Sequence, residues 1–472
     1  MTWLLDGLRE TDYTRLLKTK EVYVDYMGGC LYPEHLVHLH AGFLSSSVLG
    51  NTHSASNSSM LSLAHAKEAR NMVLSFFRAP ADEYTVVFTA NASAAMKLVG
   101  EAFPFTGASS YVLCADSHNS LHGIRQYAAE RGARVIYIPA TPQGGVDFDD
   151  SEAILRKSAL VSGSSTSSLF ALTGQSNITN SKLPLSLLTV ASSLGYSTLL
   201  DAAALAPTSY ISLEDIRPDA MAVSFYKMFG YPTGVGALVV KKSFLRRLQR
   251  PWFAGGTVSI VQVPGSVVTR SYELHEQFED GTINYLSLPA IVDGLRMLSA
   301  YMPFLPLRLS ALTHYAITNL KSIVHDGSGR SVVRILSRHS SKRLHFVGEQ
   351  ADTGSIISAI FLGPDGEMLP NSFVEYAASV YNISLRTGCM CNPGGATALL
   401  NLQEDMDKLY SGITLHELER CVGHELGVVR ISLGLASNFW DVWSVVKFVE
   451  KLASGSTRTD LWERWLETHK TR

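Results

Sequence analysis

Ser197-Thr-Leu-Leu-Asp201 and Met221-Ala-Val-Ser-Phe-Tyr-Lys227 are short apolar runs, each delivering a charged residue at or just past its end. Runs of this length, bounded by polar residues, read as buried strands. The same rhythm extends outward in both directions. Candidate strands lie at 21–26, 85–89, 111–115, 134–139 and 169–172 upstream, and at 236–241 downstream. Helix-period segments, 93–102 and 119–130 among them, fall between several of these. Such alternation predicts βαβ units and a mostly parallel sheet covered on both faces. Further on, 286–325 reads helical, while 355–362 and 428–433 read as strands among helices. The expectation is an α/β protein with a large domain over 20–290. A smaller α/β domain over 291–472, joined by residues 1–19, completes it.

The chain has 472 residues, 46% hydrophobic and 17% charged, which is ample for a sizeable core and excludes global disorder. That length fits about two to four domains, or one large enzyme with a satellite domain. Forty basic against 42 acidic residues give a net charge of -2. Such a balance leaves no electrostatic footprint for nucleic acid or an anionic membrane. No apolar run approaches the ~18 residues of a membrane helix, and the first ten residues do not read as a signal peptide. Five cysteines, few and odd in number, fit a reducing compartment, so a soluble cytoplasmic protein is expected. The Ser-rich stretch 162–168 reads as a surface loop and 325–343 as exposed structure; no internal repeat is found.

In an open α/β sheet, ligands bind beyond the carboxyl ends of the strands. Residues just past the candidate strands include Thr89-Ala-Asn-Ala-Ser93, Asp116-Ser-His118, Gln175-Ser-Asn177, Asp201 and Ser224-Phe-Tyr-Lys227. Each alone is a common loop feature. Together they ask for a cofactor that uses a lysine, a carboxylate, a histidine and an anion seat. Pyridoxal phosphate does. It needs a lysine to hold its aldehyde and a carboxylate to keep its ring nitrogen protonated. A flat side chain can stack on the ring, and a helix N-terminus can take the phosphate.

More stretches carry the same message. They include Tyr23-Val-Asp-Tyr-Met-Gly-Gly-Cys-Leu-Tyr-Pro33, Gly50-Asn-Thr-His-Ser54, Leu200-Asp-Ala-Ala203 and Phe278-Glu-Asp-Gly-Thr282. Arg386-Thr-Gly-Cys-Met-Cys-Asn-Pro-Gly394 and Val429-Arg-Ile-Ser-Leu-Gly434 follow in the small domain. In this order the chain resembles class V, fold-type I pyridoxal-phosphate enzymes of the cysteine desulfurase group, and among them the amino-terminal domain of molybdenum cofactor sulfurases. The resemblance implies Lys227 as the lysine that binds the coenzyme and Asp201 as partner of its ring nitrogen. It implies His118 stacked on the ring and assisting proton transfer, with Asn177 at the ring hydroxyl. Ser93, Ser224 and the backbone near Ala92 would hold the phosphate. Thr282 would serve the phosphate of a neighbouring subunit, implying a homodimer. Arg430, assisted by Arg386, would bind the substrate carboxylate. Departures from the pattern are Tyr26-Met27 for a usual His-Ala, Asn180 for a usual glycine, and Ala204 for a glutamine of simpler desulfurases. Full-length sulfurases carry a further carboxy-terminal domain. This chain ends at Arg472, leaving open a free-standing enzyme, a truncated form, or an acceptor supplied by a partner.

In the family's Arg-Thr-Gly-x-x-Cys pattern the last cysteine, here Cys391, attacks the substrate sulfur. The chemistry needs an exposed thiolate on a mobile loop, and Gly388, Pro393, Gly394 and Gly395 read as such a reaching arm. The implied activity is a cysteine desulfurase that takes sulfur from L-cysteine as a Cys391 persulfide, releases L-alanine, and serves an acceptor such as the molybdenum cofactor. The alternative is a pyridoxal-phosphate lyase or carbon–carbon bond-forming enzyme of specialised metabolism. A metal site at Cys389, Cys391, Cys421 and His424 is disfavoured, since Cys-x-Cys lacks the usual ligand spacing. His35, His38 and His40 read as faces of a helix. No metal is expected.

Overall fold

A computed structural model describes residues 2–160, 166–340 and 342–470. Seven strands form the central sheet: β1 (Tyr84–Thr89), β2 (Ser110–Cys114), β3 (Arg134–Ile138), β4 (Ser168–Thr173), β5 (Tyr196–Asp201), β6 (Ala220–Ser224) and β7 (Gly236–Lys241). Their spatial order is β3-β2-β4-β5-β6-β7-β1. β7 runs antiparallel to β6 and β1, while the other pairings are parallel. Strands β2, β4, β5 and β6 are buried along their whole length, as strands covered on both faces must be. Neighbouring side chains alternate between two cores: Val112 and Cys114 face one, Tyr111 and Leu113 the other.

Four further strands, β8 (Val333–Ile335), β9 (Ile356–Phe361), β10 (Arg386–Gly388) and β11 (Val428–Ser432), make an antiparallel sheet in the order β8-β9-β11-β10. Helices used below are α1 (Trp3–Asp12), α2 (Asn57–Phe76), α3 (Ala92–Ala102), α4 (Leu288–Tyr301), α5 (Pro393–Leu400) and α6 (Phe439–Ala453). Helices α2 and α4 pack together in the larger core. α1 docks on α6 through Arg9, which donates two hydrogen bonds to Asp441 at 2.7 and 2.9 Å. Both side chains are buried. Among the described residues no helix is long and apolar enough to cross a membrane.

Three expectations change. The segment at 21–26 is not part of the central sheet. Val22–Tyr23 pairs in parallel with Ile383–Ser384, and Asp25 bridges to Ser432 of the small sheet. Its apolar–polar alternation specified an extended chain but not a partner. The stretch 325–343 is not simply exposed: it contains β8, and His325, Val332 and Val333 are buried. Of the loop read at 162–168, residues 162–165 lie outside the described residues, and Ser168 opens β4.

Candidate active site

The carboxyl ends of β1, β2, β4, β5 and β6 frame one cleft. Seven residues singled out for the cofactor, Ala92, Ser93, His118, Asn177, Asp201, Ser224 and Lys227, lie on its wall. Thr282 does not; it lies elsewhere, where its hydroxyl accepts from Asn51 Nδ2 at 3.1 Å. Lys227 sits in the short helix Phe225–Phe229 that follows β6. Burial pushes its amine down from the ordinary value, Asp201 pulls it up, and Arg430 and Arg386 push it down. Asp201 ends β5 and accepts the Ala203 N–H at 3.0 Å; burial pushes its carboxyl up. A buried carboxylate is costly unless a cation meets it.

The anion seat lies at the N-terminus of α3. Asn91 caps the helix by accepting the Ala94 N–H at 2.9 Å, and the Ala92 N–H donates to Ser224 Oγ at 2.8 Å. β7 can come this close only through Gly236, where a Cβ would lie 2.6 Å from Asn91. Ser93 Oγ pairs with Ser120 Oγ at 2.6 Å. Backbone N–H groups at a helix start, flanked by hydroxyls, suit a phosphate. His118 is held down at about 4 by burial and then by the Lys227 charge. Its Nδ1 accepts the Ser120 N–H at 3.1 Å, so the neutral ring carries its proton on Nε2. An amine, a buried carboxylate, a neutral imidazole and an anion seat in one cleft fit pyridoxal phosphate.

The two arginines face each other directly across β10 and β11. Like charges so placed repel, and Asp25 lies between them. Its Oδ1 accepts from Arg430 at 2.7 Å and its Oδ2 from Arg386 at 3.0 Å. Arg430 also donates to the Asn177 carbonyl at 3.1 Å and is only 2% exposed. Arg386 is 51% exposed and is the arginine with an open edge. Gly28 is required here, because a Cβ would lie 2.3 Å from Asp25 and 2.8 Å from Arg386. Cys30 N–H donates to the Tyr226 carbonyl at 3.1 Å, so this segment reaches the lysine helix.

Cys391 is exposed, and less of the chain around it is loop than expected. Arg386–Gly388 is strand β10, and Pro393, Gly394 and Gly395 open helix α5. Proline suits a first helical turn, and a Cβ at Gly394 would lie 2.1 Å from the Ala115 carbonyl. The intervening turn is fastened at three points. Asn119 N–H donates to the Cys391 carbonyl at 2.7 Å, and Asn177 Nδ2 to the Met390 carbonyl at 2.7 Å. Asn392 Nδ2 donates to Asp116 Oδ1 at 2.7 Å. Asp116 is fully buried and also accepts from Ser176, Thr179 and the Gly145 N–H. Met390 and Cys391 both adopt left-handed backbone, φ 56° and 55°. Burial pushes the neighbouring Cys389 thiol up. His35 and His40 lie on one helix, where His40 is bonded to Tyr231 and the Leu286 carbonyl. Among the described residues no group of three or more His, Cys, Asp or Glu could hold a metal ion.

Sequence reading named Asp25, Asp116, Gln175 and Asn392 only as parts of motifs. The departures also find places. Asn180 has φ 66°, where asparagine is tolerated, and it ties to the small sheet through Arg338, Gly354 and Ile356. Met27 packs with Ala204 and Ile356.

The fold is that of the fold-type I pyridoxal-phosphate class, and the residues of this site fit that coenzyme. Residues 22–328, more than half of the chain, match the aminotransferase class-V family, and the chain belongs to that family. It is 32% identical over 476 residues to the molybdenum cofactor sulfurase of Solanum lycopersicum, covering 94% of this chain and 57% of that protein. Against the sulfurase of Homo sapiens it is 31% identical over 468 residues, covering 94% and 51%. The chain thus spans little more than half the length of these relatives. The apo structure of a cysteine desulfurase from Thermococcus onnurineus NA1 matches with a TM-score of 0.76 at 21% identity, covering 95% of this chain and 98% of that one. The cysteine desulfurase CsdA of Escherichia coli matches at 0.70 and 22%, covering 95% and 98%. Both share the fold.

Proposed function

We propose that this chain is a cysteine desulfurase of the molybdenum cofactor sulfurase kind, using pyridoxal phosphate. It takes sulfur from L-cysteine as a persulfide on Cys391, releases L-alanine, and passes the sulfur to an acceptor such as the molybdenum cofactor. The observation that carries this reading is an exposed cysteine on a turn whose preceding residue, Met390, is held by Asn177 from the wall of the cleft that contains Lys227 and Asp201. Relatives named for sulfur transfer support it.

When bound, the coenzyme supplies an aldehyde and a ring that withdraws electrons from the substrate α-carbon. Asp201 would hold the ring nitrogen protonated, which answers the cost of its own burial. Lys227, its amine made less basic by burial, would be the nucleophile toward the aldehyde. Neutral His118 offers a flat face and an Nε2 proton. Arg386 would take the substrate carboxylate with its open edge, while Asp25 and Arg430 hold it in place. Cys391 sulfur then bonds to substrate sulfur as the substrate C–S bond breaks. L-cysteine and the thiol thereby become L-alanine and a persulfide. Of the two S–H protons, one stays on the persulfide and one ends on the alanine methyl group. Thr282, outside the cleft of its own chain, would serve the phosphate of a second copy in a homodimer. A cytoplasmic setting suits the unpaired cysteines.

The test is alanine release from L-cysteine by the purified protein. Cys391→Ala and Lys227→Ala are each expected to abolish it. Undiminished alanine release by Cys391→Ala would show that this thiol is not the sulfur acceptor, and sulfide with pyruvate in place of alanine would move the assignment to a lyase.

A further inference from the structure

Gln175 stands just past β4, two residues before Asn177, and forms part of the cleft wall. It is 1% exposed, and both its Oε1 and its Nε2 are buried without a hydrogen-bond partner. The polar groups around it are engaged. Asn177 donates to Met390 and accepts from Asn392, Thr173 pairs with Ser117, and Ser224 with Ala92. The chain makes room for this amide: at Gly354 a Cβ would lie 2.2 Å from Nε2. A buried amide with neither pole bonded weakens a fold. Its presence in a cleft wall points to an occupant of the cleft.

We propose that Gln175 is a coenzyme ligand, its Nε2–H donating to the ring oxygen that neighbours the aldehyde of pyridoxal phosphate. The inference rests on the cofactor reading above. One N–H of Asn177 is already committed to the Met390 carbonyl. Ala204, also on the wall, has no polar group to offer. Asn177 keeps one N–H for this oxygen, and Gln175 supplies a second donor beside it. Donation to an anionic oxygen stabilises its charged form and weakens its hold on the proton it shares with the Lys227 nitrogen.

The test compares the unsubstituted chain with Gln175→Leu, which keeps bulk and removes the donor, and Gln175→Glu, which keeps shape and sets an anion against the oxygen. Two quantities are read: the dissociation constant of pyridoxal phosphate added to coenzyme-free protein, and the pH titration of the visible absorption of the bound coenzyme. Gln175→Leu is expected to weaken binding roughly tenfold and to move the titration to higher pH. Gln175→Glu moves it the same way and carries the test alone if the leucine variant does not fold. A folded Gln175→Leu with unchanged affinity and unchanged titration overturns this inference while leaving the cofactor reading intact. Failure of the unsubstituted chain to take up coenzyme overturns both.

Discussion

Asp25 touches two arginines that lie 361 and 405 positions away in the chain. Replacing it with alanine leaves Arg430 buried and unpaired, which costs about 3–5 kcal/mol. Chemical denaturation of Asp25→Ala is expected to show that loss, with a rise in KM for L-cysteine as Arg386 loses its anchor. A small change in both would mean that Asp25 does not hold the pair. His118 gives a pH signature. It is neutral in the fold, held at about 4 against an ordinary 6.5, so the unfolded chain binds the extra proton in between. Stability therefore rises with pH from about 4 to 6.5 and levels off above, and His118→Asn should flatten that slope in denaturation at several pH values. His275, held at about 3 by burial and Arg70, acts in the same sense. Lys227, Asp201 and His118 were legible in the sequence because their residue types, at successive strand ends, answer a single chemistry. Asp25 and Asn392 were not, since their roles lie in contacts hundreds of residues distant, and Asp116 was not, since its partners come from three separate segments. Gln175 was visible as a letter, but only its unpartnered burial gives it a role.

At the scale of elements, the turn between β10 and α5 differs most from expectation. Glycine and proline there read as freedom, yet Pro393 starts a helix and Gly394 is pressed against Ala115. What remains is a turn tied by Asn392 to a buried carboxylate. Asn392→Ala is expected to lower kcat for alanine release roughly tenfold, by loss of a hydrogen bond to a charged group, while coenzyme uptake is unchanged. An unchanged kcat would show that the tie does not position Cys391. A second element-level outcome concerns α1. Arg9 and Asp441 form a bidentate buried pair, and Asp441 also caps α6 through Asn438. Asp441→Ala should cost about 3–5 kcal/mol, read as a lowered denaturation midpoint. Strand existence was well signalled by the sequence, as β7 at Gly236–Lys241 and β6 ending at Ser224 show. Strand partners were not, because period-two alternation is blind to what lies alongside; the segment at 21–26 went to the small sheet for that reason.

At the scale of the whole molecule, the cleft is walled by the end of the central sheet, and the small sheet is tied to that wall where Arg430 donates to the Asn177 carbonyl. The central sheet contributes amine, carboxylate, imidazole and anion seat, while the small sheet and its neighbouring turn contribute arginines and a thiol. The turn reaches across by hydrogen bonds to Asn119 and Asn177, so groups that would hold coenzyme and carry sulfur share one set of contacts. The most direct measurement is mass spectrometry of the coenzyme-loaded protein after incubation with L-cysteine, with free alanine measured in the same sample. One added sulfur atom on the peptide containing Cys391, formed alongside alanine, is the expected result. Alanine formed with that peptide unmodified, or sulfur carried instead on Cys421, would contradict it.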